Sequence, residues 1–188
     1  MTSEEFCDDP YRTKALTELV VRIAQAEAPV SFDHVTAEVL EMLGIPKSTA
    51  KLKARCNYLI KASKLPVTVQ KLNQDDSGDG TKFLWADMQA TIGICPFYRI
   101  PKAGEKPRKA CDIAVQEAAR AAIDTAESQY GIPRESLITE TAKALGFART
   151  ASNTECYRLC EQAVDYAFRK GALSVDNNGF ITPSTTNI

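Results

Sequence analysis

Leu16, Leu19, Val20 and Ile23 lie at i, i+3, i+4 and i+7, the spacing that gives a helix one apolar face. The pattern predicts a helix over 13–27, stopped by Pro29. Val35, Val39, Leu40 and Leu43 form a second stripe. Ser31 or Asp33 is placed to cap it by accepting backbone N–H bonds, and Gly44 to end it in a left-handed turn. A third helix is expected to begin near Pro46-Lys47-Ser48 and to bury Leu52, Cys56, Leu59 and Ile60. The period then changes. VTVQKL (67–72) alternates and is rich in β-branched residues, so it reads as a strand, with KFLWA (82–86) returning after the polar loop NQDDSGDG (73–80).

The same order of events recurs. A helix carries Val115, Ala119, Ala122, Ile123 and Ala126; a second carries Leu137, Ile138, Thr141 and Leu145. A third, near Ser152 to Lys170, carries Cys156, Leu159, Cys160, Ala163, Val164 and Ala167, and Gly171 ends it. LSV and GFIT then flank Asn177-Asn178-Gly179, a tight-turn signal. Each copy ends its second helix in Leu-Gly, at Leu43-Gly44 and Leu145-Gly146. Three helices and a hairpin, twice over, predict a mainly α chain with small β-hairpins, arranged as tandem winged-helix (helix-turn-helix) repeats. The expected layout is an N-terminal tail (1–11), repeat 1 (12–88), a basic connector (89–110), repeat 2 (111–183) and a C-terminal tail (184–188). Pro96, Pro101, Pro107 and Gly104 forbid a continuous helix in the connector.

Charge changes this picture locally rather than globally. The 188 residues are 44% apolar and 25% charged, ordinary values for a chain that folds around a core. Their formal net charge is −1, so contact with a polyanion must rest on a patch. One exists: IPKSTAKLKARCNYLIKASKL (45–65) holds Lys47, Lys51, Lys53, Arg55, Lys61 and Lys64 and no acid. With the apolar stripe inward, Lys47 and Lys61 point outward beside Ala50, Ala54 and Asn57, while Lys51, Lys53 and Lys64 flank them and Arg55 lies nearer the core edge. Small residues ringed by cations suit a phosphate backbone, and Ser48 and Thr49 add neutral donors. A plain solvated lysine face and a surface for an acidic protein fit the same residues. Base-specific readout is not expected, since arginine and asparagine are scarce there. The connector adds Arg99, Lys102, Lys106, Arg108 and Lys109 against Glu105. In the second copy, Arg149 at the start of the third helix is a single candidate phosphate contact. The rest of that helix mixes Arg158, Arg169 and Lys170 with Glu155, Glu161 and Asp165.

No catalytic constellation accompanies this charge. His34 is the one histidine, set inside a helix without a paired nucleophile. There is no nucleophile elbow, phosphate loop or dinucleotide fingerprint. Cys156 and Cys160 could bite a metal at i, i+4, but they lie on the apolar stripe and lack a second pair, so they read as small buried hydrophobes. Asp75, Asp76 and Asp79 lack the terminal glutamate of a calcium loop and put negative charge on the hairpin tip. No enzyme activity, cofactor or metal is expected. The acidic start MTSEEFCDDPYR has no apolar run and the chain has no membrane-length stretch, so reduced thiols and a cytoplasmic location are the expectation.

The segments AEAPVSFDHVTAEVLEMLGIPKS, KFLW, PFYRIP and IPRESLITETAKALGFART together resemble a bacterial helicase-associated C-terminal domain of unknown function. The resemblance runs from about Leu16 to Pro183, and LITETAKALGFART is its best part. That family lies at the end of large DNA helicase-related proteins that combine a superfamily-one-type helicase core with a very-short-patch-repair-like nuclease domain. The resemblance implies an accessory module, with DNA and the helicase or nuclease domains of the same or a partner protein as partners. It implies no helicase or nuclease activity for these residues. Two readings follow: a non-catalytic nucleic-acid-binding module, or a protein-interaction module anchored by residues such as Trp85, Phe97 and Tyr98. Trp85 itself is expected to pack under the first hairpin as core.

Overall fold

A computed structural model describes residues 2–8, 11–72, 80–101 and 108–184. The chain is mainly helical, with small antiparallel sheets, and divides into two compact units. Among the described residues, the first unit takes those up to Val69 together with Thr81–Thr91. The second takes Gln70 to Leu72, Gly80, and Ile92 onward.

The first unit runs α1 (Ser3–Asp8), α2 (Thr13–Glu27), β1 (Val30–Ser31), α3 (Phe32–Met42), α4 (Ala50–Ala62), β2 (Val67–Gln70) and β3 (Thr81–Leu84). The strands form one sheet in the order β1-β3-β2, with Val30 opposite Leu84 and Ser31 opposite Phe83. Leu16, Val20, Val39, Leu52, Leu59 and Ile60 meet in its core, each worth roughly 1.5–3 kcal/mol of burial. Trp85 is buried, and its indole N–H donates to the Thr68 hydroxyl at 2.8 Å.

Two elements differ from the expectation. The N-terminal segment is not a bare tail: α1 packs on α4 and buries Phe6 completely, because one aromatic ring outweighs the acidic residues around it. The third helix begins at Ala50 rather than near Pro46. Thr49 holds an extended backbone and its hydroxyl accepts from the Leu52 N–H at 3.3 Å, which makes it the cap and leaves Pro46-Lys47-Ser48 outside the helix.

The second unit runs α5 (Val115–Ser128), α6 (Arg134–Ala144), α7 (Glu155–Arg169), β4 (Leu173–Val175) and β5 (Ile181–Pro183), the strands pairing with Val175 opposite Ile181. Its core is rich in alanine: Ala119, Ala122 and Ala126 of α5 and Ala163 and Ala167 of α7 are fully buried, so these helices can pack closely. The third helix again starts later than expected, at Glu155, with Thr154 as cap for the Tyr157 N–H.

The two Leu-Gly turns are built alike. Gly44 donates to Glu41 and Ile45 to Leu40; Gly146 donates to Lys143 and Phe147 to Ala142. Both are the Schellman pattern, which satisfies the last helical carbonyls and needs a residue with positive φ. Gly44 has φ +70° and Gly146 +91°. At Gly146 a side chain is doubly excluded, since an added Cβ would stand 2.5 Å from the Pro101 ring.

The expected connector is not a free strip. From Ile92 it belongs to the second unit. Cys95 N–H donates to the Gln116 carbonyl at 3.2 Å, Ile94 and Tyr98 pack against the second core, and Ala110–Asp112 forms a 3₁₀ turn before α5.

Candidate nucleic-acid interface

The positive surface is built on α4. Leu52, Cys56, Leu59 and Ile60 hold one face in the core, which turns the opposite face to solvent. Lys51, Lys53, Ala54, Asn57 and Lys61 are exposed there, with Lys47, Ser48, Thr49 and Ala50 at the start and Lys64 past the end. The helix contains no acid. Lys47, Lys61 and Lys64 carry no ion pair among the described residues. Lys53 is shared with Asp33 of α3, Nζ to Oδ1 at 3.1 Å.

Lys47 and Ser48 lie at the surface but off the helix, since both precede the cap. Ser48 lines an open groove of about 560 Å³ along α3, beside Leu40, Ile45 and Glu41. The Glu41 carboxylate makes that side less suited to an anion. Thr49 uses its oxygen as acceptor for Leu52, which leaves its O–H free to donate outward. Lys64 stands at φ 57°, just beyond the Ser63 cap, in the left-handed region a lysine adopts at some cost.

Arg55 is turned toward α2: its guanidinium donates to the Thr13 hydroxyl at 2.9 Å and lies 5.3 Å from the Tyr58 ring centre. Tyr58 itself is 54% exposed on the basic helix. Sequence reasoning passed over it, although its place one turn after Ala54 and next to Asn57 puts an aromatic ring among the lysines.

The connector residues divide. Arg99 and Arg108 face inward and clamp one carboxylate, Glu117 of α5, which is 2% exposed. Arg108 donates to it at 2.6 and 3.1 Å, Arg99 at 3.0 and 3.2 Å, and the Arg99 backbone N–H at 3.0 Å. Burial opposes the charge on Glu117, but the bonds from Arg108 and Arg99 outweigh it and hold its carboxyl below the ordinary range. These two arginines therefore tie the 92–110 segment to its own unit, a correction to their reading as phosphate contacts. Lys109 is exposed, and Lys102 lies outside the described residues. Arg149 is exposed but sits six residues before α7, in a loop whose carbonyl at Arg149 accepts from the Cys156 thiol at 3.5 Å. The negative hairpin tip (Asp75, Asp76, Asp79) also lies outside the described residues.

The cysteines are free thiols. Burial pushes Cys160 up to about 12, with Cys156 adding to it, and Cys56 up to about 11, so neither carries thiolate near neutral pH. No helix among the described residues is long and apolar enough to cross a membrane. No family model, curated protein or solved structure matches the chain.

Proposed function

We propose that the chain is a non-catalytic nucleic-acid-binding accessory module made of two winged-helix units, serving a helicase- or nuclease-related system. Helix α4 of the first unit contacts the phosphate backbone of DNA. The observation that carries this reading is the exposed face of α4, where Lys51, Lys53 and Lys61 surround Ala54 and Asn57 with no acid in the helix. Small residues let a phosphate chain approach, the lysines neutralise it, and Tyr58 offers a ring to sugar or base. Lys47, Thr49 and Lys64 extend the strip at its ends, and the exposed Lys109 and Arg149 are further candidates on the second unit.

Lysine point charges and one asparagine give affinity without much sequence preference. Binding to a fluorescent duplex should weaken steeply with salt, with a log–log slope of about −3 to −4 for four lysine contacts. Replacing Lys47, Lys51, Lys53 and Lys61 together by Glu should cost about hundredfold or more in affinity. Unchanged affinity in that variant, at either of two salt concentrations, sinks the reading.

A second reading is a protein-interaction module without direct nucleic-acid contact. It rests on Ile92, Phe97 and Ile100, whose side chains are exposed at 67%, 64% and 67%. In that case the fourfold lysine variant would bind a partner protein normally, and Phe97→Ala would not.

A further inference from the structure

We infer that Glu27, His34 and Glu38 form a binding site for a divalent transition-metal ion of the zinc class, independent of the nucleic-acid surface. Glu27 is the last residue of α2. The chain returns through β1, and the Ser31 hydroxyl accepts from the His34 N–H at 3.2 Å, which sets where α3 begins. His34 and Glu38 then stand at i, i+4 on one face of α3. One imidazole nitrogen, Nε2, is met by both carboxylates: Glu27 Oε2, its hydrogen-bond partner, at 3.0 Å and Glu38 Oε1 at 3.7 Å. All three ligand atoms lie within 4.8 Å of one another.

The two separations from His34 are close to what a metal requires. Zinc holds imidazole nitrogen and carboxylate oxygen at about 2.0–2.2 Å, so tetrahedral ligands stand roughly 3.3–3.5 Å apart. The observed 3.0 and 3.7 Å bracket that spacing, and side-chain rotations of a few tenths of an ångström would equalise them. Charge also balances: a neutral imidazole and two carboxylates carry −2. An imidazole nitrogen beside two oxygens favours zinc-class ions over magnesium, which prefers oxygen alone. The three side chains are 34%, 35% and 30% exposed, so a fourth position opens to solvent and suits water. With α2 and α3 each contributing, a bound ion would pin the end of one helix to the face of the next.

His34 is the one histidine in the chain, so its ring resonances report the site without ambiguity. Zn²⁺ titrated into untagged, reduced protein should shift the His34 Nε2 resonance and bind one-to-one with a Kd of about 1–100 μM, a range set by three partly exposed ligands. Mg²⁺ at the same concentrations should leave the ring in place. Glu38→Gln and, separately, Glu27→Gln should each weaken Zn²⁺ binding about tenfold or more while leaving the rest of the spectrum folded. A His34 ring unmoved by Zn²⁺ up to millimolar overturns the site. So does affinity unchanged in Glu38→Gln and His34→Ala, which would assign the metal to the part-exposed thiols of Cys7 or Cys111.

Discussion

α4 and α7 are each the last α-helix of their unit, carry the same threonine cap, and meet solvent in different ways. On α4 Lys51, Lys53, Ala54, Asn57, Tyr58 and Lys61 are exposed, and the charged residues of the helix are three lysines and Arg55, with Lys53 shared with Asp33. On α7 only Glu155 and Arg169 are exposed. Its outer face is occupied by its own unit. Gln162 donates to the Lys71 carbonyl at 3.1 Å, and the Tyr166 hydroxyl reaches the Ile92 and Gly93 carbonyls at 3.0 and 3.1 Å. Arg134 of α6 pairs with Asp165 at 2.7 Å. Asp165 of the mixed-charge α7 is thus engaged within its own unit, whereas Lys61 of the uniformly basic α4 carries no ion pair among the described residues. A helix that binds its own chain needs both signs and hydrogen-bonding side chains; one that faces a polyanion needs a single sign and small residues.

The largest effect expected from this contrast is at Glu117. Glu117→Ala leaves Arg99 and Arg108 half-buried without their carboxylate, a loss of about 3–5 kcal/mol in urea unfolding. It should not change the salt dependence of nucleic-acid binding, because those arginines are turned inward; a changed slope would return them to the interface. The acid limb follows from the same clamp. Because the folded carboxyl is held below its ordinary value of 4.5, its stabilisation is complete above that value and is lost as pH falls through the lower folded value. The stability gap between wild type and Glu117→Gln should therefore shrink as pH is lowered below about 4.5.

Next in size is a matched pair of alanines. Ala163→Leu adds bulk to a position of α7 that is fully buried and should cost about 1–3 kcal/mol. Ala54→Leu adds the same bulk to the open face of α4 and should change stability by less than about 0.5 kcal/mol. On the proposed function its effect belongs to binding, where a leucine would hold the phosphate chain away from the lysines. Equal stability losses in the two variants would break the comparison.

Much of this was readable beforehand, and the failures have physical causes. The helix over 13–27 follows from its apolar stripe and from Pro29, both local signals, and the structure places it over the same residues. The repeated Leu-Gly turns were legible because the backbone there requires a residue without Cβ strain. The start of α4 was misread because Pro46, Lys47 and Ser48 also look like a helix entrance. Thr49 wins by reaching the Leu52 N–H. The fate of Arg99 and Arg108 was not legible, since nothing in their own segment reveals an acid one element away. The faint signal was Glu117 at four residues before Ala121, on the edge of a buried alanine stripe. For the same reason His34 and Glu38 show their i, i+4 spacing in sequence, but Glu27 joins them only through the fold.

The smallest effect tests one lysine on the open face. Lys53 is shared with Asp33, and both are exposed, at 54% and 80%. Such a pair is worth about 0.2–1 kcal/mol, so Asp33→Ala should raise nucleic-acid affinity by at most about fivefold if Lys53 reaches phosphate. Asp33 also lies in the first turn of α3, where negative charge favours the helix, so the same variant should lose about 0.3–1 kcal/mol of stability. The two readouts move in opposite directions only if Lys53 serves the surface as well as the fold. A stability loss with unchanged affinity would confine Lys53 to bracing α3 against α4 and narrow the binding face to Lys47, Lys51 and Lys61.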